Sequence, residues 1–227
     1  MSHLFSEIWK DESKSYPVFS EKYSDLIIWI NANNENDLPS SVWFCKDLIV
    51  ASWFRYNKRH RDGDKPAVIC YNGSQFIKMT WMQNDLIYRE GDKPEEIYPD
   101  GTKIWYKYNE YHRDDDKPAI EYGDGSKEWY NFGNKHRFIG PSVVLVDGTM
   151  EWRTMNKLDR GDDQPAIVFN DGHETRMEWF VKGVRHRNPD KGAAFILVID
   201  GRRIEETWWE HGKVIKSIRE GFEMIEI

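Results

Sequence analysis

The sequence predicts an all-β chain, an elongated antiparallel meander of about seven stacked β-hairpin repeats. Three observations carry this expectation. Tryptophans recur at a near-constant interval, the residues after them repeat in register, and Asp-Gly or Asn-Gly pairs fall at a fixed distance beyond. Self-similarity at such a period marks a repeat architecture, in which each unit buries its apolar face only against its neighbours.

The repeat is anchored on Trp29, Trp53, Trp81, Trp105, Trp129, Trp152, Trp179 and Trp208, spaced by 24, 28, 24, 24, 23, 27 and 29 residues. Seven positions after the Trp comes His60, Tyr88, His112, His136, Asp159 or His186. Arg61, Arg89, Arg113, Arg137, Arg160 and Arg187 follow at the eighth position. Acidic or glycine residues come next, then Pro66, Pro94, Pro118, Pro141 or Pro165. Six residues beyond each proline stand Asn72-Gly73, Asp100-Gly101, Asp124-Gly125, Asp147-Gly148 and Asp171-Gly172. The sixth unit has Gly192 for proline and reaches Asp200-Gly201 late, and the unit of Trp29 is degenerate, with Asp37 where the others have Arg.

Asp-Gly and Asn-Gly favour type I′ turns, because both central residues take positive φ. A second turn falls between Trp and His, where Gly133, Gly183 and Gly212 are available. Each unit then reads as two short antiparallel strands. One carries Trp with an aromatic neighbour, and the other carries His-Arg, an acidic bend, proline and an apolar end. Proline removes a ladder donor, so the bend predicts a bulge or strand break. Stacked Trp and Tyr rings are expected to dominate the stability. At about 4.8 Å per strand, seven two-strand units would extend roughly 65 Å, coiled into a strip or half-pipe by right-handed twist. The array is expected over 29–212. Short caps, partly helical, are expected at 1–28, with Leu4, Phe5, Ile8 and Trp9 on one face, and at 213–227, with Val214, Ile215, Ile218, Phe222 and Ile225 at helical spacing.

Composition narrows the function. Trp, Tyr and Phe make up 15% of residues against 39% for all hydrophobics, which suits thin β-structure. The net charge of −7 argues against nucleic acid and acidic membranes. Cys45 and Cys70 make neither a disulfide framework nor a four-ligand zinc site, which predicts a reducing, cytoplasmic setting. The start MSHLFSEIWKDESKSYPVF lacks a basic region followed by an apolar core, and AAFILVI is too short to span a bilayer, so neither secretion nor a transmembrane segment is expected.

The unit resembles a MORN-type repeat. Tyr130, Gly133, His136 and the following Asp147-Gly148 match that family's Y-x-G-x-W-x-x-G-x-x-H-G pattern with its D-G turn, while Trp129 and Arg137 depart from it. The variant W-Y-x-x-G-K-x-H-R-x-D-G-P-A is similar to repeat proteins of large DNA viruses, those of amoebae especially, and of some phages. The resemblance covers about 29–215. It implies β-hairpin arrays, protein–protein contacts, dimerisation and in some members membrane association, and, for a viral protein, the host cytoplasm or the virion.

No catalytic, cofactor or metal residue is assigned. His60, His112, His136 and His186 occupy equivalent positions, but neighbouring repeats place such residues roughly 10 Å apart, too far to share a zinc ion whose bonds are about 2.0 Å. Asp62, Asp64, Asp114, Asp115 and Asp116 lack calcium-loop spacing. Acid–base catalysis needs groups converging on one place, whereas here the groups are copied along a strip. The arginines are expected to clasp the acidic bend of their own unit, since Asp62, Glu90, Asp114, Asp162 or Asp190 lies within three residues; Arg137 has Phe138, Ile139 and Gly140 instead. The expectation is a non-enzymatic scaffold for a protein partner, self-association included. The alternative is an arginine row that recruits an anionic surface, acidic lipid or nucleic acid.

Overall fold

The computed structural model describes residues 25–29, 37–219 and 222–224, the first and last of these by backbone pairing alone. The chain divides into two compact units, Met1–Gly101 and Thr102–Ile227. In the first, the strands Asp25–Trp29, Ser41–Cys45, Leu48–Ser52, Val68–Asn72, Gln75–Thr80 and Glu96–Ile97 each pair antiparallel with the one before. In the second, the same meander runs through Lys103–Ile104, Ile120–Glu121, Lys127–Glu128, Val143–Val144, Met150–Glu151, Ile167–Asn170, Glu174–Glu178, Phe195–Ile199, Arg202–Glu210, Lys213–Arg219 and Phe222–Met224. One 3₁₀ turn, Pro189–Lys191, is the sole helical element among the described residues.

From Trp53 to Trp179 each repeat holds four strands rather than the two expected, and the tryptophan is where the chain leaves the sheet. Its N–H donates to the carbonyl of the residue after proline, as in Trp105 to Ala119 at 2.8 Å and Trp152 to Ala166 at 2.8 Å. Its carbonyl accepts from the residue seven positions on, His60 to Trp53 at 3.0 Å and His112 to Trp105 at 3.2 Å. Between these bonds stands a side hairpin of two-residue strands, such as Tyr106–Lys107 with Glu110–Tyr111 and Tyr130–Asn131 with Asn134–Lys135. The proline has no N–H to extend this ladder, so the His-Arg segment closes the side hairpin and only the residues beyond proline join the main sheet.

The residue after proline is packed from all sides. Ala67, Ala119, Ala166 and Ser142 are all 0% exposed, which explains why a small residue recurs there. Thin clusters build outward from the tryptophans, for example Trp53 with Val42 and Ala51, and Trp179 with Ala193, Ala194 and Ile196.

The Asp-Gly turns divide: Asp200-Gly201 has the paired positive φ of the expected type I′ turn, and four others do not. At Asp100-Gly101, Asp124-Gly125, Asp147-Gly148 and Asp171-Gly172 only the glycine has positive φ. Gly125 donates to Tyr122 O at 3.0 Å, and Asp124 accepts from Ser126 N–H at 2.8 Å. This is a type I turn closed by a left-handed glycine. Paired positive φ also lies at the side-hairpin tips, Tyr56-Asn57, Asn84-Asp85, Tyr108-Asn109, Phe132-Gly133, Met155-Asn156 and Lys182-Gly183, and at His211-Gly212 between two strands of the main sheet.

The expected C-terminal helix is corrected as well. Val214, Ile215 and Ile218 lie in the strand Lys213–Arg219, which returns along Arg202–Glu210 through the His211-Gly212 turn. Phe222 begins another strand. A partner strand was present to take these residues, and spacing over so short an apolar run fits either conformation. Ile225 and the N-terminal face of Leu4, Phe5, Ile8 and Trp9 lie outside the described residues. Among the described residues no helix is long and apolar enough to cross a membrane.

Because Ala119 has no free space, Ala119→Leu is expected to destabilise the fold by about 1–3 kcal/mol through overpacking, read as a lower urea midpoint. An unchanged midpoint would mean that the site after proline is not tightly enclosed.

Candidate functional site

The repeated Trp and Arg form one construction. In six repeats the guanidinium lies over its own tryptophan ring: Arg61 over Trp53 at 3.7 Å, Arg89 over Trp81 at 3.8 Å, Arg113 over Trp105 at 3.7 Å, Arg137 over Trp129 at 4.1 Å, Arg160 over Trp152 at 3.6 Å and Arg187 over Trp179 at 4.1 Å. Nη1 then donates to the carbonyl of the proline, from 3.0 Å for Arg61 to 3.4 Å for Arg113, or to Ala193 at 3.0 Å for Arg187. The arginine thus pins the bend to the tryptophan. Trp208 has Lys216 in this place, its Nζ 5.2 Å from the ring. The side chain of Trp29 lies outside what is described. The group that covers the six rings is a guanidinium, in a cation–π contact.

For four of the arginines the acid that holds the guanidinium comes from the preceding repeat, while Arg113 donates to Glu121 of its own repeat at 2.9 Å. Arg61 forks onto Asp37 at 2.9 and 2.8 Å, Arg89 onto Asp64 at 2.6 and 3.3 Å, Arg137 onto Asp116 at 3.1 and 2.7 Å, and Arg187 onto Asp163 at 3.0 and 2.8 Å. The backbone carbonyl of the same aspartate accepts from the indole N–H of Trp53, Trp81, Trp129 or Trp179, at 3.0, 3.1, 2.9 and 2.9 Å. One residue therefore grips both members of the next Trp–Arg pair. Two of the acids nearer an arginine in sequence serve histidine: Asp62 meets His60 at 3.0 Å and Asp114 meets His112 at 3.1 Å. Arg137, which has no acid beside it in sequence, is clasped all the same.

A second stitch joins the side hairpins. The tip N–H donates to a carbonyl of the previous hairpin: Asp85 to Arg59 at 3.0 Å, Gly133 to Tyr111 at 3.0 Å, Asn156 to Lys135 at 3.0 Å and Gly183 to Leu158 at 2.8 Å. Where the tip is Asp85 or Asn156, its side chain also accepts from the N–H of Arg59 or Lys135, at 2.8 and 2.7 Å. His112 stacks on Phe132 at 4.2 Å and His186 on His211 at 4.7 Å, so these rings act as packing between repeats. No group of three or more potential metal ligands comes together among the described residues.

The nearest approach to a converging set is around Glu128. Its carboxylate accepts from Tyr130 Oη and Lys135 Nζ, both at 2.7 Å, and Tyr111 packs on Tyr130 at 5.2 Å. Burial, then Glu128, pushes the Tyr130 hydroxyl far above its ordinary value, and the same causes push Tyr122 up to about 12. Both phenols stay protonated and donate, which suits a structural hydrogen bond and not a general base. Neighbouring repeats reuse the arrangement with other cations, Glu96 with Lys78 at 2.8 Å and Glu151 with Arg153 at 2.8 Å.

Neither a family model nor a curated protein matches the chain in sequence.

The clasp has a pH signature. Arg61, with Lys65 adding to it, holds Asp37 down to about 2 against the cost of burial. Arg89 and Lys93 hold Asp64 below the carboxylate range, and Arg187 lowers Asp163 from its ordinary value. A carboxylate with a depressed folded pKa stabilises fully above its unfolded value and loses that contribution as pH falls through the folded one. Stability is therefore expected to drop between about pH 4 and pH 2. In Asp37→Asn/Asp163→Asn it should be lower at neutral pH, with a shallower acid limb, measured as urea midpoints across pH. Parallel curves for the two proteins would contradict the assignment.

Proposed function

We propose that this chain is a non-enzymatic β-hairpin repeat scaffold that binds protein, a second copy of itself included, through the tips of its side hairpins. The single observation behind this is where large apolar residues sit. Tyr56, Tyr108, Phe132 and Met155 occupy the first tip position, with φ of 52°, 55°, 43° and 49°, and are 85, 81, 40 and 54% exposed. Left-handed backbone favours Asn, Asp or Gly, and folding alone has no need of a bulky apolar side chain there. Within the second unit three successive tips carry Tyr108, Phe132 and Met155, and the first two rings stack at 6.3 Å. Aromatics and methionine are enriched at protein interfaces. The MORN-like repeat, of the kind similar to proteins of large DNA viruses, accords with this reading, since arrays of that kind make protein contacts.

The arginine row supports recruitment to an anionic surface less well. The side chains of Arg61, Arg89, Arg113 and Arg187 are each 13% exposed, and each lies on its tryptophan.

A photo-crosslinking residue at position 108 should capture protein, whereas one at exposed Asp124, on the opposite turn, should not. The variant Tyr108→Asn/Met155→Asn should lose the interaction while keeping or raising the thermal midpoint, because Asn tolerates the left-handed backbone better. Equal capture from both positions, or none from either, would overturn the proposal.

A further inference from the structure

Within the second unit, the junction that follows Arg137 lacks the aspartate clasp. The loop after Arg137 is a residue shorter than its counterparts and reads Phe138-Ile139-Gly140-Pro141, so glycine stands where Asp64, Asp116 and Asp163 stand in other repeats. The consequence falls on the next repeat. Arg160 still lies on Trp152 at 3.6 Å and donates to Pro165 O at 3.1 Å, but among the described residues it meets no carboxylate. The Trp152 indole N–H likewise makes no hydrogen bond among the described residues, and this tryptophan is only half-buried where Trp53, Trp81, Trp105, Trp129 and Trp179 are buried.

The junction is nevertheless held in register on both sides of the gap. Val143 and Val144 pair with Glu151 and Met150, which pair in turn with Ile167 and Val168. In the side hairpins, Asn156 exchanges bonds of 3.0 and 2.7 Å with Lys135 and reaches Asn134 at 2.7 Å. The guanidinium and the indole therefore keep the poses in which their counterparts grip an aspartate. Phe138 and Ile139, which replace the acidic bend, are 82 and 77% exposed. Burial without an anion works against the charge on Arg160, lowering its pKa.

We propose that the Trp152–Arg160 pair is an open clasp that receives an aspartate from an extended segment of a partner protein. Its carboxylate would take the two free edges of the Arg160 guanidinium, its main-chain carbonyl the Trp152 indole N–H, and an apolar neighbour would rest on Phe138 and Ile139. The occupant is defined by what fills the four closed copies, where one aspartate supplies both acceptors. A bare anion would satisfy the guanidinium alone. A peptide aspartate satisfies both groups, and the exposed apolar pair suits a segment with an apolar residue beside the acid. This site is separate from the hairpin tips, and its test does not depend on them.

The test uses the full chain labelled with ¹⁵N. The indole N–H resonance of Trp152 is assigned by its loss in Trp152→Phe. The probes are an acetylated, amidated peptide Leu-Asp-Lys-Pro-Ala, its Asp-to-Asn counterpart, and inorganic phosphate. The account expects the aspartate peptide, at up to millimolar concentration, to shift the Trp152 indole resonance saturably, and the Asn peptide and phosphate to leave it in place. Arg160→Gln should abolish the shift without lowering the thermal midpoint by more than a few degrees. Replacing Phe138-Ile139-Gly140 with Asp-Asp-Asp-Lys, which restores the loop of the Arg113 repeat, should raise the thermal midpoint and remove the peptide response. No shift with the aspartate peptide, an equal shift with either control, or a peptide response that survives in the restored loop would overturn the proposal.

Discussion

An aspartate that reaches forward to the tryptophan and arginine of the next repeat, as Asp37, Asp64, Asp116 and Asp163 do, is the contact on which this array depends. A repeat made of two narrow hairpins cannot enclose its own indole. The ring is covered on one side by the guanidinium of its own repeat, and its N–H is satisfied only by the carbonyl of the aspartate before it. An exposed ion pair by itself contributes at most about 1 kcal/mol. Here the same carboxylate orders a guanidinium that is already packed on an aromatic face, so charge, hydrogen bonding and cation–π contact act on one group. Placing the contact between repeats makes it a nearest-neighbour coupling, the term that turns marginal units into a cooperative array.

That logic also explains the composition. With 39% hydrophobic residues and 15% aromatic, the chain has little aliphatic mass for a thick core. It buries small residues after proline and lets indoles, guanidinium groups and glutamates fill the rest. Glu128 and Glu178, 7 and 8% exposed, are tolerated because each accepts from a cation of its own side hairpin, Lys135 and Arg185.

Much of this was legible in the sequence, because repetition amplifies weak local signals. The period, the β-hairpin class and the common register of tryptophan, arginine and proline could all be read from spacing. The partner of the arginine could not. Asp62 lies beside Arg61 and Asp114 beside Arg113, which suggested a clasp within the repeat, yet those carboxylates turn to His60 and His112. The acid that matters stands two residues before the proline, as Asp37, Asp64, Asp116 and Asp163 do, and its target is a whole repeat away. Arg137 held the clue: an arginine with no acid nearby, in a repeat otherwise intact. The type I′ expectation holds at Asp200-Gly201 and fails at four other Asp-Gly pairs, because Asp-Gly suits both a type I′ turn and a type I turn closed by glycine, and strand geometry decides between them. The tip row went unnoticed because Tyr and Phe at those positions read as strand residues. At the C-terminus, Val214, Ile215 and Ile218 fit a helical stripe as well as a strand, and only the long partner strand settles the matter.

The most direct test of the account is a double-mutant cycle between Asp163 and Arg187, which belong to successive repeats, with Asp163→Asn and Arg187→Gln studied singly and together by urea unfolding. The account predicts a coupling of about 1–2 kcal/mol, in the range of hydrogen bonds to charged groups and above that of an exposed ion pair. A coupling within a few tenths of a kcal/mol of zero would show that the repeats are held together by something other than the clasp.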